Sequence, residues 1–389
     1  MNLKGKMLSQ NRLGLDRFWN FSRDGIDNFR TGLRDAVSGV EQTRSRMMEY
    51  DQLLVWAVLS LMLIGLVMVY SASITLADGP KYANYSSNFF LIRHLISLAI
   101  ATGVGVWVFK IPSKVWDRYS PVIFGFTVVL LVLVLIPGVG KGVNGARRWI
   151  PLGIMNFQPS ELMKFAAVIF AASYTVQRQE YLHSFSKGML PMGIAVALVG
   201  GLLMKEPDMG AFVVVAIIAF GILFLGGINA KLFGGLLLVG LLSGAAMIAL
   251  SPFRRERMLA FMDPWQVDNA ANKGYQLTHS LMAFGRGEWF GTGLGGSVEK
   301  LHYLPEAHTD FIMAVIGEEL GFVGVIVMIF LFYWIVRRAF MIGRTALQLD
   351  RSFAGLAAKG VAIWIGWQAF INMGVNLGLL PTKGLTLPL

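Results

Sequence analysis

The stretch GAFVVVAIIAFGILFLGGI, residues 210–228, contains no charged or hydrogen-bonding side chain. Coiled as an α-helix it reaches across the roughly 30 Å hydrocarbon core of a bilayer. Comparable runs recur at 52–72, 89–110, 122–140, 160–177, 189–205, 232–251, 311–336 and 356–379, so nine membrane spans are expected. All should be helical, because unpaired backbone is too costly in lipid for anything but helices or closed barrels, and the alternation of barrel strands is absent. Composition agrees: 55% of the 389 residues are hydrophobic and 15% charged. The mean hydropathy is +0.59. The expected fold class is therefore all-α, a polytopic integral membrane protein.

The first run begins near residue 52, too late for a secretory signal peptide, so the first helix is expected to stay as an anchor. Residues 1–50 carry nine Lys or Arg. The short loops on the same side add Lys110, Arg118, Arg178, Lys187, Arg337, Arg338 and others, which makes that side cytoplasmic. The reading is a cytoplasmic tail over 1–50, in which Leu13 to Phe21 could lie on a membrane surface, followed by a transmembrane domain over 51–389. The net charge of +11 reflects this orientation bias rather than a nucleic-acid partner. With no cysteine, disulfides and thiolate chemistry are excluded.

One connection, residues 252–310 on the outer side, is far longer than the rest, and loops of that length usually carry function or disorder. Trp265, Tyr275, Phe284, Trp289 and Tyr303 argue for order. Leu277, Leu281 and Phe284 have helical spacing, which predicts a short amphipathic helix over 275–286 on the membrane surface. The run GRGEWFGTGLGG after it has neither a preceding strand nor a Walker lysine, so tight turns are expected rather than a phosphate cradle.

Polar residues gather at the outer ends of the spans. Arg147 and Arg148 sit in a short loop on the side where basic residues are disfavoured, which points to an anionic ligand such as pyrophosphate or, alternatively, lipid headgroups. After Gln158, Pro159 and Ser160 start a helix whose Glu161 and Lys164 share a face, as an internal salt bridge, a functional pair, or both. Asp208 is suited to cap the next helix. His308 and Asp310 open another, with Glu318 and Glu319 two turns deeper, where each needs a proton or a cationic partner. Gln158, His308 and Asp310 are candidate substrate contacts by their place at these ends. None of the five histidines has HExxH-like spacing. No cofactor is required, and a carboxylate-bound Mg²⁺ or Mn²⁺ beside a pyrophosphate stays open.

The segments RRWIPLGIMNFQPSELMK, KEPDMG, GYQLTHSLMAFGRGEWFGTGLG, YLPEAHTDFIMAVIGEELGF and LPTKGLTLPL resemble, in order, the signatures of the SEDS family (shape, elongation, division, sporulation). AFGRG and LPTKGLTLP are more similar to its cell-division branch than to its elongation branch. The resemblance implies a SEDS fold with ten transmembrane helices, the tenth beginning where this chain ends, and a peptidoglycan glycosyltransferase that polymerises lipid II. It implies the class B penicillin-binding protein FtsI as partner, with FtsQ, FtsL, FtsB and FtsN at the septum of the bacterial inner membrane. The family's key carboxylate matches Asp268, with Asp263 as the fallback, because the Trp-x-Asp-Pro spacing is altered here. Lys164, Glu161, Asp208, Arg147 and Arg148 match positions that line the cavity. The expected chemistry is inverting, with Asp268 as the base and Lys164, Arg147 and Arg148 stabilising the pyrophosphate. A lipid II flippase, drawing on Lys164, Glu318 and Glu319, and a divisome scaffold are the competing readings.

Overall fold

The structure, a computed structural model, describes residues 50–78, 88–143, 146–151, 153, 156–382 and 384–388. Apart from Tyr50, the expected tail lies outside the described residues. The described part of a small unit is Tyr50 and Asp51 together with Val106–Pro112, the end of one helix and the turn that closes it. Everything else belongs to the larger unit, Gln52–Gly105 with Ser113–Leu389.

Among the described residues, each of the nine expected spans falls on a helix. These are α1 (Gln52–Ser73), α2 (Phe89–Phe109), α3 (Ser113–Leu135), α4 (Pro159–Gln177), α5 (Leu190–Lys205), α6 (Met209–Leu225), α7 (Ala230–Ala249), α11 (Ile312–Gln348) and α12 (Ser352–Asn376). The long connection holds α8 (Pro252–Met262), α9 (Val267–Ala271) and α10 (Tyr275–Gly287). Among the described residues six helices are long and apolar enough to cross a membrane, and α6 and α7 are shorter apolar ones. This is a multi-pass membrane protein.

Two helices differ clearly in extent from the sequence expectation. α3 starts at Ser113 rather than 122 and ends at Leu135 rather than 140. Lys114, Asp117 and Arg118 belong to its first turns, because a helix need not be apolar where it leaves the hydrocarbon. Pro121 lies inside α3 and cannot donate to the Asp117 carbonyl. Ser120 Oγ does so instead at 2.9 Å and Ser173 Oγ of α4 at 3.3 Å, so the break in the ladder is repaired by hydroxyls. α11 runs on to Gln348, twelve residues past the expected 336, for the same reason as α3. Sequence periodicity also gave no hint of the small antiparallel sheet of β1 (Lys141–Val143), β2 (Ala146–Pro151) and β3 (Asn156–Phe157), which lies between α3 and α4.

The core lies where α4 packs on α3, α6 and α12, and α12 packs on α11. Small residues let these helices approach: Ala166, Ala167, Ala171 and Ala172 of α4 are buried, and a Cβ on Gly360 of α12 would sit 2.6 Å from Ile222 Cδ1. At the periphery, α2 and the described side chains of α7 include no buried residue. Their exposed Ile92, Ile100, Val104, Leu237 and Leu241 are the surface expected against lipid.

α11 is not one continuous helix. Gly321 has φ +66° and ψ −164°, a conformation essentially confined to glycine. The glycine-rich segment after α10 takes up the backbone groups this break releases. Thr292 N and Gly293 N donate to the Glu318 and Glu319 carbonyls at 2.9 and 3.1 Å, and Phe322 N and Val323 N donate to the Glu288 and Trp289 carbonyls at 2.9 and 3.1 Å. Backbone this irregular is tolerated at such a place only because protein satisfies it. The glycines that sequence reading assigned to turns do form turns, since Gly291, Gly293 and Gly295 all have positive φ.

α10 occupies the segment predicted for the amphipathic helix, and that helix is docked on its neighbours. It packs on α11 and α12, burying Leu277 and placing Ser280 Oγ 2.8 Å from the Asn376 carbonyl.

Candidate functional site

The residues singled out at the helix ends meet in one polar layer. Gln158 is the extended N-cap residue of α4, and Pro159 begins the helix. The Gln158 amide donates to Ser160 Oγ at 2.9 Å and to Asp208 Oδ2 at 3.2 Å, and Ser160 Oγ donates to the same oxygen at 3.0 Å. The other oxygen of Asp208 accepts from Ala211 N at 3.1 Å, which is the α6 cap expected from the sequence. Arg148, from β2, donates through Nε to the Glu206 carbonyl at 3.0 Å and through Nη2 to the Pro207 carbonyl. These contacts orient one guanidinium beside the α5–α6 turn, with no carboxylate among the described residues in ion-pair contact with it.

Two carboxyls here are strongly perturbed. Glu206 is fully buried, and neither of its oxygens has a hydrogen-bond partner among the described residues. Burial, reinforced by Asp208 and opposed by Arg148, pushes its pKa up to about 8, so it is mostly protonated at neutral pH. Asp310 is raised to about 7 by burial and by Glu306, with Arg148 opposing and Asp208 adding to the shift. The Asp310 carbonyl accepts from Asn372 Nδ2 at 2.8 Å and Asn376 Nδ2 at 3.0 Å. The loop entering α11 is thus tied to α12.

The C-terminal segment runs back across this layer as an extended strap. Asn372 Nδ2 donates to the Leu385 carbonyl at 2.6 Å and Gln368 Nε2 to the Thr386 carbonyl at 3.1 Å. Leu385 and Leu387 are buried, Leu385 so close to α6 that a Cβ on Gly210 would sit 2.7 Å from its Cγ. Lys164 lies beneath the strap, wholly buried, 2.7 Å from Glu161 Oε2 and donating to Gln368 Oε1 at 2.8 Å. A buried ammonium without partners would cost several kcal/mol. Here Glu161, Gln368 and the face of Trp364, 5.9 Å away, offset that cost.

A cavity of about 390 Å³ opens on one side of the strap, lined by Arg148, Asp208, Arg254, Arg257, Thr382 and Gly384 among others. Arg254 and Arg257 come from α8, started by Pro252, and their three-residue spacing puts both on the face that walls the cavity. On the other side a cavity of about 340 Å³ is lined by Arg93, His94, Ser97, His308, Thr309 and Thr386 with apolar neighbours.

The structure therefore brings Arg148 and Asp208 to one cavity, holds Gln158 and Asp310 in the layer around it, and places Glu161 and Lys164 under the strap. His308 lines the second cavity. Arg147 is exposed on β2, opposite Gly142. Asp268 is exposed on α9 and lines neither cavity, and Asp263, the C-cap of α8, is exposed as well. Among the described residues no three His, Asp or Glu side chains are grouped to hold a metal ion.

The adjacent Glu318 and Glu319 are both fully buried and both paired. Glu318 accepts from Ser297 Oγ at 2.5 Å, Val298 N at 2.9 Å and Glu299 N at 3.3 Å, with Arg286 Nε at 3.7 Å. Glu319 accepts from Ser71 Oγ of α1 at 2.7 Å and pairs with Lys300 at 2.6 Å. Hydrogen bonds to a charged group contribute roughly 1.5–3 kcal/mol each, enough together to offset burial of a carboxylate. These glutamates fasten the long connection to α1 and α11.

Sequence reading missed Arg93, the path of the strap, and the polar residues of α12. Gln368, Asn372 and Asn376 recur every four residues inside an apolar run, a spacing that puts three amides on one helix face.

A family model described as cell cycle protein, FtsW/RodA/SpoVE, matches residues 52–389. The chain belongs to this family. The SEDS resemblance and the glycosyltransferase class it implied are both borne out by the relatives. A protein of Polynucleobacter necessarius subsp. necessarius named as a probable peptidoglycan glycosyltransferase FtsW is 92% identical over 389 residues, covering 100% of this chain and 92% of that one. One of the same name from Burkholderia thailandensis is 65% identical over 358 residues, covering 92% and 78%. Among solved structures, one described as a peptidoglycan synthase complex that coordinates polymerization and crosslinking aligns with TM-score 0.71 and 29% identity, covering 88% of this chain and 91% of that one. The rod shape determining protein RodA of Thermus thermophilus aligns with TM-score 0.60 and 26% identity, covering 88% and 89%.

Proposed function

We propose that the chain polymerises lipid II into glycan strands at the division septum of the bacterial inner membrane. The cavity of Arg148, Arg254 and Arg257 carries this reading: three guanidinium groups meet at one end of a bundle of apolar helices, where a lipid-linked pyrophosphate presents its charge. In the orientation given by the basic residues, that end faces the periplasm and residues 1–50 are cytoplasmic.

The 4-hydroxyl of an acceptor GlcNAc attacks the anomeric carbon of a sugar linked to lipid pyrophosphate. The carbon–oxygen bond to the pyrophosphate breaks with inversion, and the hydroxyl proton passes to Asp268, exposed on α9. Because the pyrophosphate leaves as a stabilised anion, one base suffices where glycoside hydrolysis uses an acid as well. The arginines lower the barrier by meeting charge that grows on the leaving group. If a Mg²⁺ or Mn²⁺ ion takes part, it arrives with the pyrophosphate, and assays in EDTA and in Mg²⁺ separate the two cases. The partner is the class B penicillin-binding protein FtsI, with FtsQ, FtsL, FtsB and FtsN around the pair. The solved relative that joins polymerization to crosslinking supports this pairing.

The flippase alternative drew on Lys164, Glu318 and Glu319, and all three are held in fixed pairs. The test is gel-resolved polymerisation of lipid II by the chain with FtsI. Asp268→Asn is expected to lower the rate at least about a hundredfold without loss of folded protein. An undiminished rate overturns the base assignment, and transbilayer movement of labelled lipid II in liposomes, with no glycan made, overturns the enzyme reading.

A further inference from the structure

The second cavity takes no part in the chemistry at the Arg148 cavity. It lies between the outer ends of α1 and α2, the loop before α11, and the side of the strap turned away from Arg148. Arg93 stands one turn inside α2, His94 follows it, and Ser97 lies one turn deeper on the face of Arg93. His308 and Thr309 close the opposite wall, with His308 against the ring of Phe90 at 5.7 Å. Thr386 and Leu387 of the strap form the third side.

Three observations point to an anionic ligand here. No carboxylate among the described residues is within ion-pair distance of Arg93. An arginine in the first turns of an apolar helix without such a partner is expensive, and its position marks a binding site by default. The Nε2 of His94 is buried and has no hydrogen-bond partner among the described residues, so a ligand oxygen or hydroxyl would satisfy it. Below the cavity α2 buries no residue, and Ile92, Leu95, Ile96 and Ile100 leave an apolar track on its surface. Cationic head and apolar track together describe a phosphorylated lipid rather than a soluble anion.

We infer that this cavity binds the phosphate-bearing headgroup of a second polyprenyl-pyrophosphate lipid while the Arg148 cavity holds the first, with the strap as the partition between them. The inference rests on the polymerase reading, which needs two lipid-linked substrates at once, one to lose its pyrophosphate and one to offer its hydroxyl. The strap is placed to separate them, since Pro381, Thr382 and Gly384 face one cavity and Thr386 and Leu387 the other. Gln368 and Asn372 fix its height.

The experiment uses the full chain in nanodiscs, with undecaprenyl pyrophosphate as the probe and native mass spectrometry to count bound molecules. The wild-type chain is expected to bind two. Arg93→Ala combined with His94→Ala should weaken one of them at least about tenfold and leave the other, while Arg254→Ala weakens the other. Thr309→Trp, which fills the cavity from the opposite wall, should act as the α2 variant does, so that loss through misfolding of α2 is told apart. With lipid II as substrate, the α2 variant should raise KM more than it lowers kcat. Two molecules still bound to both the α2 and Thr309→Trp variants would overturn the second site. Equal occupancy by phosphatidylglycerol would overturn it too, leaving an ordinary lipid contact. Loss of binding on Arg254→Ala with no glycan made by the wild type would instead strike the polymerase reading while leaving the second site standing.

Discussion

Glu206 carries the most strongly raised pKa in the polar layer, and its behaviour follows from where its side chain ends. Wholly buried and beside Asp208, it holds its proton up to about pH 8, against 4.5 for an ordinary glutamate. Between those values the folded chain keeps a proton that the unfolded chain releases, so folding stability is fully present below pH 4.5 and is lost as pH rises through 8. Thermal midpoints of the purified protein between about pH 5 and 9 should therefore fall with rising pH. Glu206→Gln should flatten that fall, because the amide copies the protonated acid. An unchanged slope in the variant would mean that Glu206 is ionised in the native state. Lys164, also wholly buried, is instead enclosed by partners: Glu161, Gln368 and Trp364. The sequence revealed the Glu161–Lys164 pair through its three-residue spacing. It could not reveal that the third partner comes from α12, because Gln368 is 204 positions away from Lys164 along the chain.

At the scale of elements, the broken helix α11 and the glycine-rich segment form one unit. Each supplies the backbone partners the other lacks. A Cβ at Gly321 would run into the amide of Gly291, and the backbone there is one that alanine does not adopt. Gly321→Ala is expected to cost about 3 kcal/mol or more, seen as a drop in thermal midpoint and in folded yield, while Gly293→Ala, where nothing lies within 4 Å of a Cβ, strains only its own φ and should cost less. Equal effects would show that the crossing of the two backbones is not what constrains Gly321. The nine spans were legible because a run of apolar residues has the same meaning wherever it stands in a membrane protein. The break in α11 was not, since glycine is common in membrane helices and its φ leaves no mark in the sequence. Nor was the docking of α10, whose amphipathic pattern is the same whether it faces lipid or another helix. The strap was recognised only as a motif, LPTKGLTLPL. Its path over the polar layer depends on Asn372 and Gln368, which sequence reading passed over within an apolar run.

For the whole molecule, the helices serve mainly to place charge at one end of an apolar body. β2, the α5–α6 turn, α8 and the strap each bring one wall of the Arg148 cavity, and none of them builds it alone. Arg148 was identified from its unfavourable side of the membrane. Arg254 and Arg257 stand in a long connection, where the rule that exposes Arg148 does not operate. Asp268, chosen by resemblance, stands outside the cavity lining, so the chemistry depends on the sugar projecting from the cavity toward α9. The central claim is that these guanidinium groups hold a lipid pyrophosphate during glycan synthesis. The most direct measurement is the rate of lipid II polymerisation by the chain with FtsI, comparing wild type with Arg254→Ala combined with Arg257→Ala at matched thermal midpoints. The account predicts a rate lower by about a hundredfold or more, two charge-assisted contacts to the leaving group being lost. A rate within twofold of wild type would contradict it.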